Sequence, residues 1–226
     1  TSCANLVRGT ACLGHEPINK ATFTEDVPAG YFSQPGDRAD LAITEAIQTG
    51  GLNNGQSAWG VSAMSVSAGL PDDLAAGVIF VQLGGVEVEN GVEPGEDLSP
   101  MQRFYFRTGI EGELCELAPS ILFVQGPENV PVDLEVFGQP VRLHSTMVLR
   151  SLDPGADLGT ELQLIVLSGL VILYPDTDAP ILVPPGYMVT IQLGAEFVSL
   201  GIEGDADERG VIGRWSQPIP LTQQQL

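Results

Sequence analysis

The chain has 226 residues, 43% of them hydrophobic and 17% charged, with nine Lys plus Arg against 29 Asp plus Glu for a formal charge of −20. This composition excludes a disordered chain, whose signature is low hydrophobicity with dense charge. The negative field repels phosphate backbones and so removes nucleic acid from the expected partners. The length suits one large β domain or two domains of roughly 100 residues.

The chain begins at Thr1 without an initiator Met, a basic segment or an apolar leader. The expectation is an exported protein, secreted or held at the cell surface, whose signal has been cleaved. Of the three cysteines, none has the CxxC spacing of a zinc or redox site. Three single pairings are open to Cys3, Cys12 and Cys115, and each leaves one odd thiol. The assignment carried forward pairs Cys12 with Cys115 and leaves Cys3 for a bond between chains.

Helical periodicity is scarce. DLAITEAIQTG at 40–50 reads either as a helix face of Leu41, Ile43, Ala46 and Ile47 or as a strand running into a turn. In WGVSAMSVSAGLPDD at 59–73 the apolar alternation changes phase between Ala63 and Met64, which predicts a β-bulge or a strand bend. GVIFVQLGGVEVENG at 77–91 predicts two strands around Gly84 and Gly85, with Val86 and Val88 facing away from Glu87 and Glu89. VEPGEDLSP at 92–100 is the most loop-like stretch. MQRFYFRTGI at 101–110 places Phe104 and Phe106 on one face of a half-buried strand, with Arg103, Tyr105 and Arg107 on the other.

Beyond EGELCELAP at 111–119, a short stretch that fits a boundary between two β units, strands are predicted at Ile121 to Gln125, Val132 to Phe137 and Val141 to Leu152, with a turn near Gly138. LQLIVLSGLVILYP at 162–175 is the most apolar segment. A helix spanning a bilayer needs about 20 apolar residues, and Glu161, Asp176 and Asp178 close this run on both sides. Its β-branched Ile165, Val166, Val171 and Ile172 around Ser168 and Gly169 predict two short buried strands or one long strand bent at the glycine. Turns at YPDTDAP and PPG then frame ILV at 181–183 and the alternating YMVTIQL at 187–193.

VRLHSTMVLRSL, TELQLIVLSGLVILYP and APILVPPGYMVTIQL, together covering about 141–193, resemble the FecR-like β domain of bacterial exported proteins. LSGLVIL and LVPPGYMV stand where that pattern has its Leu-x-x-Gly-x-Val step and its Pro-x-Gly turn. PGDRADL, WGVSAM, SPMQRFYFRTG and the segment from Cys115 to Ser120 are similar to parts of secreted bacterial proteins that carry such a second half. The resemblance implies export and a two-part β architecture, and it brings no catalytic residues. Membrane-bound FecR regulators add a sigma-factor-binding segment and a transmembrane helix, neither of which this sequence contains, so the resemblance does not extend to that role.

The expected fold is therefore all-β. Two sandwich-like units at 1–118 and 119–210, the second FecR-like, are followed by an extended tail at 211–226. No catalytic constellation emerges: only His15 and His144 are present, GxSxG is absent, and HEPIN lacks the second His of HExxH. The candidate metal ligands are Asp205, Asp207 and Glu208 in EGDADERG, for Ca²⁺, against a reading as a solvated turn; the spacing is not that of an EF-hand. The tail VIGRWSQPIPLTQQQL carries a single charge, Arg214, beside a −20 body. Trp215, Ile219 and Leu221 are its candidate contacts, either pinning it on its own domain or adding it to a neighbour's sheet edge. The expected function is a non-enzymatic exported structural protein that assembles with copies of itself; the alternative is a binding module for a glycan, ion or protein.

Overall fold

The computed structural model describes residues 3–16, 18–52, 59–71, 74, 77–110, 120–152, 160–193 and 211–222. Among these residues there are sixteen strands and no helix. They are β1 (Thr10–His15), β2 (Ile18–Phe23), β3 (Arg38–Asp40), β4 (Thr44–Thr49), β5 (Val61–Val66), β6 (Val78–Leu83), β7 (Val86–Asn90) and β8 (Arg103–Thr108). The rest are β9 (Ile121–Gln125), β10 (Val132–Val136), β11 (Gln139–Leu152), β12 (Thr160–Leu173), β13 (Ile181–Val183), β14 (Tyr187–Leu193), β15 (Val211–Ile212) and β16 (Ile219–Pro220). DLAITEAIQTG is thus a turn leading into a strand, because β4 finds partners on both edges, in β2 and β7.

All the strands belong to one curled sheet, and its hinge is the hairpin of β11 and β12. Along one edge, β11 pairs with β10 over Gln139–Leu143 and then with β9 over Thr146–Leu149. On its far side, β12 pairs with β14 over its first half and with β13 over its last three residues. The two long strands therefore pass from one arm of the sheet into the other. The first arm continues through β10, β8, β7, β4 and β2, and the second through β9, β6, β5, β1 and β3.

The bend is written in the sequence at Ser168 and Gly169. The β11–β12 register shifts at Thr146/Met147, and Gly169 adopts φ +71° where a Cβ would collide with the His144 carbonyl and the Ser145 Cβ. Only glycine accepts that dihedral and that approach together. The run 162–175 is accordingly one long strand bent at its glycine.

The arms close on each other over a single apolar core. Phe80 of β6 meets Phe104 of β8 edge to face at 4.9 Å, and both are fully buried. A polar tie crosses the same gap: buried Gln82 of β6 donates its amide to Ile47 O at 2.8 Å and Val86 O at 3.0 Å, while its carbonyl accepts from Ser62. The division into two units expected at residue 118 is not visible as a break. β9 pairs with β6, β8 pairs in parallel with β10, and the core cluster draws residues from both sides of that position.

Two details differ from the sequence expectation. The phase change in WGVSAMSVSAG does not mark a bulge in β5, which pairs with β6 without a slip. It marks a strand with apolar residues on both faces: Met64 and Val66 point into the core, while Val61 and Ala63 point outward and stay half-buried. The register slip lies in β1 instead, between Leu13 and His15. The disulfide joins Cys3 to Cys12, with Cα atoms 5.7 Å apart, in place of the expected Cys12–Cys115 pair and interchain Cys3. The N-terminal segment folds back over β1 because Arg38 of the neighbouring β3 donates to Ala4 O at 3.1 Å and Asn5 O at 3.4 Å, which brings Cys3 over the outward-facing Cys12. Cys115 lies outside the described residues.

Candidate functional site

The two outer faces of the curled sheet have opposite chemistry, and each follows from strand alternation. On the second arm the outward positions form a row in register across eight strands: Cys12, Ala63, Val81, Phe123, Val148, Ile165, Met188 and Ile219. None of them carries a charge. Val148, Ile165 and Met188 form a small cluster of their own, with Ile121, Phe123 and Leu221 packed around it, separate from the core between the arms. Ile219 of β16 is 46% exposed and Leu167 of β12 45%.

The tail completes this face on its own chain. Ile219 pairs with Met188, Ser216 N donates to Thr190 O at 2.8 Å, and Leu221 N donates to Gly186 O at 2.9 Å, so residues 216–221 cover the β14 edge. Trp215 is 3% exposed within the core; its backbone N–H donates to the Tyr174 hydroxyl at 3.1 Å, and the Arg214 guanidinium lies 4.5 Å from the Tyr174 ring. Of the three expected assembly contacts, Trp215 is therefore an internal anchor. Its indole is apolar enough to be drawn into the core, whereas Ile219 and Leu221 remain at the outer surface.

On the first arm the outer face is polar. One cross-strand row runs Lys20, Gln48, Glu87 and Arg107, and the next runs Thr22, Ala46, Glu89 and Tyr105. Beyond them Gly91 lies beside Arg103, which pairs with Glu135. Alternating signs meet across the strands: Arg107 binds the buried carboxylate of Glu87, and Arg103 bonds Glu135 at 2.5 Å and Glu96 at 2.7 Å. The hydrogen bond to Glu135, then that to Glu96, raises the Arg103 pKa above its ordinary value. Short side chains at Thr22, Ala46 and Gly91 leave a groove of about 730 Å³ between these long ones, also bordered by Thr24, Glu45, Glu93 and Pro94. A Cβ on Gly91 would press into the Tyr105 ring at 2.7 Å, so the missing side chain seats that ring beside the groove.

The expected Ca²⁺ ligands Asp205, Asp207 and Glu208 lie outside the described residues. Among the described residues no three His, Cys, Asp or Glu side chains converge closely enough to hold a metal ion. His144 is exposed on β11, and His15 ends β1 with Nδ1 at 2.6 Å from Glu16 O. The groove was hidden from sequence reasoning because its walls come from five strands. Its only local signal was the polar alternation of RFYFR and VEVEN. No helix of the described residues is long and apolar enough to cross a membrane. Comparison with protein-family models, curated proteins and solved structures finds no match for the chain.

Proposed function

We propose that the chain is a non-enzymatic, exported structural protein that assembles with copies of itself through the outer face of its second arm. The observation that carries this reading is the uncharged cross-strand row from Cys12 to Ile219 on a body of charge −20. Two such bodies repel wherever acidic surfaces meet. They can approach only where charge is absent, and the members of this row that stay half-buried or exposed, Ala63, Val81, Phe123 and Ile219, with exposed Leu167 nearby, offer that place; Cys12, Val148, Ile165 and Met188 are buried within the chain. The FecR-like resemblance of residues 141–193 to exported proteins supports the location.

The row is narrow, so one face-to-face contact belongs to the weak class below about 1,200 Å². Association is expected at roughly tens to hundreds of micromolar. Because the apolar contact is opposed by long-range repulsion, added salt strengthens it, the reverse of an ion-paired interface. Sedimentation of the full chain across that concentration range, at low and at 0.5 M salt, tests the reading. The average mass should rise with concentration and with salt, and Ile219→Glu, at the most exposed member of the row, should hold the chain monomeric while leaving its thermal unfolding close to wild type. A wild-type chain that stays monomeric under all these conditions rules the proposal out.

A further inference from the structure

The groove on the first arm is independent of the apolar face and calls for a ligand of different chemistry. We infer that it binds a neutral, hydroxyl-rich chain, an oligosaccharide, laid across β2, β4, β7 and β8. Its volume of about 730 Å³ falls within the range of about 300–1,000 Å³ typical of small-molecule sites.

The lining excludes anions first. Lys20 and Arg103 are its only cations, set against Glu45, Glu87, Glu89, Glu93 and Glu135. The Arg103 guanidinium is already engaged by Glu135 and Glu96. The lining stays net negative, with Glu45, Glu89 and Glu93 against Lys20 once the ion pairs of Glu87 and Glu135 are set aside, so a polycation is the competing ligand that the test includes. Glu87 and Glu135, in turn, are neutralised by Arg107 and Arg103. A divalent cation lacks its ligand set, since no three carboxylates converge there.

What the groove supplies is hydrogen bonding together with some apolar surface. Ala46 and Tyr105 line the groove, and so do Thr22, Thr24, Glu45, Glu89 and Glu93, whose side chains end in hydroxyls and carboxylates. Carboxylates accept strongly from hydroxyl donors, and an aromatic ring with a polar tip suits a ligand that is apolar on one face and wet at its edge. A pyranose ring has that division, with C–H groups on its faces and hydroxyls at its rim. The ion pairs of Arg103 and Arg107 hold the walls before any ligand arrives, which lowers the ordering cost of binding.

The test uses the full chain on a printed array of neutral, acidic and amino-bearing glycans, followed by calorimetry with the best neutral oligosaccharide and, separately, with spermine. Expected is binding to a neutral glycan that Thr22→Trp, which fills the groove from edge strand β2, weakens at least tenfold. Glu45→Gln together with Glu93→Gln changes only exposed rim groups and should weaken binding about three- to tenfold, so the inference does not depend on one variant folding. Ile219→Glu, on the opposite face and 46% exposed, should bind as wild type. Binding to no neutral glycan overturns the inference. So does binding to spermine or acidic glycans alone, or neutral-glycan binding unaffected by the groove variants.

Discussion

Gly169 of β12 stands opposite Ser145 of β11 at the bend where both strands leave one arm of the sheet for the other, and any side chain on Gly169 would run into the His144 carbonyl. The contact makes the fold's hinge depend on one missing Cβ. Gly169→Ala adds a left-handed penalty of about 1–2 kcal/mol to an overpacking cost of about 1–3 kcal/mol. Gly186 has a similar φ of +78° but open space around it. Urea unfolding should therefore show Gly169→Ala losing clearly more stability than Gly186→Ala, whose loss stays at the left-handed penalty alone, about 1–2 kcal/mol. Equal losses would mean that the bend can relax.

Gln82 is the polar tie between the arms. Its replacement by Leu leaves the carbonyls of Ile47 and Val86 and the hydroxyl of Ser62 without this partner in a buried site. The expected destabilisation is about 2–3 kcal/mol, read by chemical denaturation. A loss below about 0.5 kcal/mol would show that the tie adds little beyond packing.

Acid should weaken the fold through two exposed carboxylates. Backbone N–H groups of Ser33 and then Gln34 hold Asp37 below its ordinary 3.8, and Arg103, followed by the Glu93 backbone, holds Glu96 below 4.5. A carboxyl depressed in the folded state stabilises it above the unfolded pKa, and that contribution is lost as pH falls through the folded pKa. The melting temperature should thus start to drop as pH falls below 4.5 and continue to drop below 3.8. The double variant Asp37→Asn, Glu96→Gln should show a shallower acid limb; an unchanged limb would assign acid sensitivity elsewhere.

Reduction of Cys3–Cys12 reopens a loop with a sequence separation of nine residues. Loop-closure entropy for that length is worth about 2–3 kcal/mol. Chemical unfolding with and without reductant should show a loss of that order, and thiol titration of the unreduced, denatured chain should find one reactive cysteine. Three reactive cysteines would contradict the pairing.

The sequence determined most of the strands because local alternation and turn chemistry suffice for them. Ile121–Gln125 and Tyr187–Leu193 stand where the pattern put them, and the Ser168–Gly169 pair marked the bend in β12. It also determined the formal charge of −20. What only the tertiary structure decided is which strands meet. β9 enters between β6 and β11, and this unites segments expected to fold apart. The two-faced apolar pattern of Val61 to Val66 was visible in the sequence, yet an outward Ala63 becomes part of an eight-strand row only when partners far along the chain supply Phe123, Ile165 and Met188 in register. The same holds for the groove, which needs the short side chains of Thr22, Ala46 and Gly91 from three separate segments of the chain. Period-two alternation assigns a residue to a face, but only strand order and register determine its neighbours on that face.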